Sequence, residues 1–181
     1  SIHLRKPIMM KDYFMAEQLS VEHVCKSFSG LQALDDVTLT LDQGEILGLI
    51  GPNGSGKTTL INIISGLLSA TSGKVRVGSV EITNLYAYQI ATHRISRTFQ
   101  TIRLFRNLTV MENAEVAAVG VGTPRNIARQ KARTALVEMN LEAYADLLAG
   151  TLPYGLERRL EIARALAMDP VFCCLMNLAP V

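Results

Sequence analysis

No stretch of this 181-residue chain approaches the ~20 consecutive apolar residues that a membrane-spanning helix requires. The first 16 residues also lack the apolar run and small-residue cleavage site of a secretory leader, so they read as a loose extension. Lys and Arg never exceed two in succession and the formal net charge is only +2, which gives no basic stripe for nucleic acid. Cysteine is scarce: Cys25, Cys173 and Cys174 are an odd set without metal-ligand spacing, which suits a reducing compartment and not a disulfide framework. The vicinal pair lies in an apolar run and reads as two small core residues, in preference to a redox pair. There is no internal repeat. Any association with a membrane must therefore come through a partner.

What is present is the composition of a globular protein, 49% hydrophobic and 19% charged, with length for one substantial domain over residues 17–181. From Leu19 to Leu41 apolar and polar residues alternate as in half-buried strands, and Asp42-Gln43-Gly44 is a turn. Glu45–Ile50 reads as a short, buried parallel strand. After a glycine-rich loop, Leu60, Ile63, Ile64, Leu67 and Leu68 share one face of a helix. Lys74–Ile82 is strand-like, Leu85–His93 helical, and Ile95–Phe99 a strand. Helices are expected across Val110–Ala149, broken by a loop at 119–124, with periodicity at Ala132–Met139 and again at Leu141–Leu148. Leu156, Leu160, Ala163 and Ala167 mark a last helix stopped by Asp169-Pro170, and Val171–Leu175 is a final strand. Strands alternating with helices predict an α/β fold with a mainly parallel core sheet, an N-terminal antiparallel β subdomain and a helical subdomain at about 101–160.

The loop is the chemical signal. Gly51, Pro52, Asn53, Gly54, Ser55, Gly56, Lys57 and Thr58 match the phosphate-binding pattern G-x-x-x-x-G-K-[ST] in full, between a strand-like segment and a helix. Glycines let successive backbone N–H groups turn inward around phosphates, and a helix N-terminus adds partial positive charge. Lys57 is the candidate for the β- and γ-phosphates, Thr58 for Mg²⁺, and Thr59 for the α-phosphate.

Further segments resemble the nucleotide-binding subunit of ABC transporters, over residues 19–175. Phe28 in Lys26-Ser27-Phe28-Ser29-Gly30 matches the aromatic that stacks on adenine in that family. Gln100 in Arg97-Thr98-Phe99-Gln100 matches the glutamine that touches Mg²⁺ and the attacking water, and that relays nucleotide state to the membrane subunit. Leu152, Pro153, Tyr154, Gly155, Leu156 and Glu157, with the helix that follows, resemble the signature segment that closes over the ATP of a partner subunit. Pro153 stands where a serine is usual, so that hydroxyl contact is missing. Variants of this kind, with Tyr-Gly and Arg-Arg as here, resemble the branched-chain (hydrophobic) amino acid importers. The charged positions Arg158, Arg159 and Arg164 have a plainer reading as a solvated helix face.

The resemblance implies ATP and Mg²⁺ as cofactors and a homo- or heterodimer of ATP-binding subunits. It also implies membrane-spanning permease partners, and a peripheral location on the cytoplasmic face of the inner membrane.

One departure is sharp. The family needs an apolar strand followed by Asp for Mg²⁺ and Glu to activate water, but Met176 and Asn177 follow Leu175 here. Neither side chain can take a proton from water. The codons suggest a reason. Met is ATG and Asn is AAC or AAT, so reading one base earlier gives GAA, a glutamate codon. The same shift can turn the surroundings into Val-Phe-Leu-Leu-Leu-Asp-Glu-Pro-Gly. A one-base shift near the Phe172 codon, in the gene or in its reading, is therefore expected to have replaced residues 173–181 and left the fold incomplete at its C-terminus. Two other functions are weighed against transport: a nucleotide-binding module that cannot hydrolyse ATP, and a soluble ABC-type ATPase of DNA repair or translation.

Overall fold

A computed structural model describes residues 17–176. The expected loose extension at 1–16 and the position of Asn177 lie outside the described residues. Strand β1 (Gln18–Phe28) pairs antiparallel with β2 (Leu31–Asp42) on one side and β3 (Ser72–Val77) on the other, and β4 (Val80–Glu81) completes the sheet. The expected single strand at Lys74–Ile82 is thus a hairpin. Gly78 turns it with a φ of 55°, conformational freedom that a β-branched residue would not supply. Alternation fixes the sheet's inner face: Leu19, Val21, Val24, Val75 and Val77 are buried beneath α1 (Lys57–Ile64).

The second sheet is parallel. β5 (Ile95–Arg97) pairs with β6 (Phe172–Cys174), Ile95 opposite Phe172 and Arg97 opposite Cys174. It lies after α2 (Ala87–Thr92) and packs into the same core, through Ile90, Ile95 and Phe172.

Three longer helices gather round a separate apolar cluster. They are α3 (Val110–Gly120), α4 (Arg125–Glu138) and α5 (Tyr154–Ala167), with Val110, Ala114, Ala132, Leu136, Leu160 and Ala163 at the centre. Half of that cluster is alanine, small enough to let packed helices approach closely. Thr109 and Glu112 close a reciprocal capping box on α3, each side chain taking the other's backbone N–H, at 3.1 and 2.7 Å.

Three further sequence expectations change. Leu141–Leu148 is no helix beyond a 3₁₀ turn at Glu142–Tyr144, because Leu141 turns inward to the helical core while the chain doubles back to bond Leu147 to Val110. The expected loop at 119–124 starts later, since α3 continues through Gly120. Glu45–Ile50 is not a strand: no described segment pairs with it, and Ile46 and Ile50 are 100% and 97% exposed. An apolar run makes a strand only where a neighbouring edge accepts its backbone.

Candidate functional site

The loop from Gly51 to Gly56 wraps round the ammonium of Lys57. Its Nζ donates to the carbonyls of Gly51 and Pro52 at 2.6 and 2.7 Å and approaches Ser55 Oγ at 3.1 Å. Gly54 and Gly56 have φ of 83° and 85°, left-handed values that let the loop turn tightly round the Lys57 ammonium. At Gly56 a Cβ would also lie 2.7 Å from the carbonyl of Ala33 and 2.6 Å from Leu34, so the loop rests directly on β2. Gly56 is the N-cap of α1, offers no side-chain cap, and is followed by no acidic residue in the first turn. The free N–H groups of that turn are available to an anion. A polyphosphate fits here: it would replace the carbonyls as partner of Lys57 and take up the uncapped donors.

Lys57, Thr58 and Met176 line one cavity of about 520 Å³, together with residues 44–49 and β6. The structure therefore places Lys57 and Thr58, at the end of the phosphate loop, on the same cavity as position 176. Phe28, Gln100 and residues 152–157 do not line it. Phe28 is 42% exposed with the Lys26 ammonium 4.9 Å from its ring centre. Gln100 is exposed just beyond β5. At the start of α5, Leu152 is buried, Pro153 is the N-cap, and Tyr154 is 64% exposed. Gly155 faces open space and Leu156 is half-buried. Glu157 is buried and accepts from Arg106 at 3.2 Å.

For Mg²⁺ the fit is poor. Thr58 brings a hydroxyl and Gln100 an amide, but Met176 supplies a thioether, and the described residues hold no cluster of three potential metal-binding carboxylate, imidazole or thiol groups.

Residues that motif reading left without a role surround Met176. Its N–H donates to Thr98 Oγ1 at 3.0 Å, and the Arg97 guanidinium lies 3.1 Å from its Sδ. Arg97 also donates to Asn62 Oδ1 and Ser65 Oγ on the helix side, at 2.8 and 2.7 Å. Burial holds this guanidinium below its usual range and Arg103 adds to the lowering, while Cys174 opposes it. Arg158, on α5, reaches the carbonyls of both Phe99 and Met176. Arg164 bonds the carbonyl of Arg103, so the solvated-face reading survives only at the exposed Arg159. No spacing rule links residues so far apart along the chain, which is why these contacts were invisible in the sequence.

The profile of the ABC transporter family matches residues 34–175, well over half of the chain. The chain belongs to the ABC transporter family. Among curated relatives of this ABC chain, it is 38% identical to the high-affinity branched-chain amino acid transport ATP-binding protein BraF of Pseudomonas aeruginosa. It is 39% identical to the corresponding LivG protein of Escherichia coli (strain K12). Each match covers 84% of this chain and 66% of the relative, so the chain spans just under two thirds of their length. Among solved structures, a nucleotide-free ATP-binding cassette from an ABC transporter superposes with a TM-score of 0.79 at 32% identity, over 91% of this chain and 71% of that one. A dimeric ATP-binding cassette bound to ADP and phosphate gives 0.75 at 28% identity, over 87% and 72%. The α/β fold with its antiparallel and parallel sheets is that of an ABC cassette.

Proposed function

We propose that this chain is the nucleotide-binding part of a subunit that powers import of branched-chain amino acids, working as a dimer beneath membrane-spanning permeases at the cytoplasmic face of the inner membrane. The observation that carries the nucleotide reading is the Lys57 ammonium held inside a ring of inward-facing backbone at an uncapped helix start. Phe28 takes the adenine, Gly51–Thr59 the phosphates, and Leu152–Glu157 the nucleotide of the partner subunit. Gln100 passes nucleotide state to the permease. The dimeric cassette with ADP and phosphate supports the dimer, and the names of BraF and LivG support the transported class.

A second reading rests on Met176. With a thioether at the place the resemblance assigns to a Mg²⁺ carboxylate, the chain as it stands binds ATP without hydrolysing it. Thermal unfolding with millimolar ATP tests both. The expected result is an upward shift that Lys57→Ala removes, alongside no phosphate release. Absence of any shift in the parent chain would sink the nucleotide reading; steady phosphate release would sink the second.

A further inference from the structure

Helix α5 carries the Leu152–Glu157 segment at its start, and one turn further on it holds a buried ion pair, Arg158 with Glu161. Both side chains turn to the same backbone residue on the other core. The Phe99 N–H donates to Glu161 Oε1 at 2.8 Å, and the Phe99 carbonyl accepts from Arg158 Nη1 at 2.9 Å. The second arm of the Arg158 fork reaches the carbonyl of Met176. Beyond the last residues of β5 and β6, where the two-stranded ladder stops, the side chains of α5 thus supply the partners that a neighbouring strand would otherwise supply. The guanidinium groups of Arg97 and Arg103 both lie over the ring of Phe99, 4.7 and 4.5 Å from its centre.

A buried ion pair contributes little net stability, because desolvation offsets most of the attraction. What it does provide is register. A planar fork bonded to two carbonyls, with a carboxylate on the intervening N–H, holds only one relative position of three segments. We propose that Arg158 and Glu161 are positioning residues that couple the Leu152–Glu157 segment to Gln100 and to position 176, so that a shift of one carries the others. Phe99 is the residue immediately before Gln100, and Met176 faces the phosphate-loop cavity, so the clamp grips next to both. The direction of signalling rests on the nucleotide reading of the Lys57 loop; the clamp itself does not.

The chain contains no tryptophan, so Tyr154→Trp installs a single fluorescent reporter at an exposed position at the start of α5. In that background Arg158→Lys keeps the charge but cannot bridge two carbonyls, Glu161→Ala removes the acceptor, and Glu161→Gln restores it. Occupancy is measured separately by displacement of a fluorescent ATP analogue. We expect ATP to shift the reporter in the parent and in Glu161→Gln. The shift should fall at least fivefold in Arg158→Lys and Glu161→Ala, with analogue affinity within twofold of the parent. Undiminished shifts in those two variants, or no shift in a parent that binds the analogue, overturn the proposal. If the analogue does not bind at all, the functional reading fails, and hydrogen exchange of the ligand-free chain decides the clamp. Glu161→Ala should then raise exchange at Phe99 and Gln100 at least tenfold more than in α3, with Glu161→Gln near the parent. An equal rise everywhere shows a generally loosened fold and overturns it. Should Glu161→Ala fail to fold, Arg158→Lys against Glu161→Gln separates the same two outcomes.

Discussion

Lys57 bonds to its own loop through three oxygens, so phosphate does not enter an open pocket but competes for an ammonium already satisfied. That competition favours ligands with several charged oxygens over a single carbonyl. Position 176 presents the converse case. There the cation has neutral oxygens from Asn62, Ser65 and the Thr98 carbonyl, a thioether and the Phe99 ring, and no carboxylate among these partners, although burial depresses its charged form. A carboxylate at 176 would complete the set. Met176→Asp is therefore expected to raise stability by about 1 kcal/mol, the net scale of a charged hydrogen bond after part of the desolvation cost. Thermal melts of the two proteins check this, and a lower melting temperature in the variant would show that Arg97 needs no anionic partner. At this scale the sequence was informative wherever a residue type is demanded by a local backbone shape, as at Gly54 and Gly56. It was silent on Arg97 and Glu161 and read Arg158 as a solvated face, because their partners Met176 and Phe99 lie far along the chain.

Among the elements, β6 shows how burial and reactivity part company. Cys173 and Cys174 sit on a strand paired with β5, and burial pushes both thiols up, Cys174 to about 11, with Cys173 beside it adding to the rise and Arg97 opposing it. The thiol form is thus held in the folded chain well above the ordinary value near 9. An unfolded chain loses those protons first, so the stability linked to them is intact below pH 9 and declines as pH rises towards about 11. Denaturant melts between pH 8 and 11 should show this fall, and Cys173→Ser with Cys174→Ser should flatten it. An unchanged slope in the double variant would assign the alkaline loss elsewhere. Element types were largely legible from periodicity, including the three long helices and the paired strands at the N-terminal end. Glu45–Ile50 was not, because composition records what a residue prefers and pairing depends on whether an edge stands beside it. Leu141–Leu148 failed for a different reason: Leu141 is buried in the helical core while Leu147 and Leu148 are half exposed, and a periodic count treats all three alike.

Across the whole molecule, two apolar clusters divide the chain, one beneath the N-terminal sheet and α1, the other among α3, α4 and α5. The α5 clamp on Phe99 and Met176 joins them by directional bonds. Such a join holds orientation yet yields to water more readily than a continuous core. The division into a strand-rich and a helical half could be read from pattern alone, because each half keeps its own period. The way they meet could not, since it depends on a few polar side chains.

Residues 44–49 and β6 line the same cavity, and Ile46 and the nearby Ile50 are almost wholly exposed. Two molecules meeting in solution present the same edges to one another, and each can offer the other a partner that no described segment of its own chain supplies. Concentration, more than heat, then governs how long a preparation survives. Light scattering of the parent should rise steeply with protein concentration, while Ile46→Lys with Ile50→Lys should stay near monomer size at the same concentrations. Equal scattering from both would place the sticky surface somewhere else.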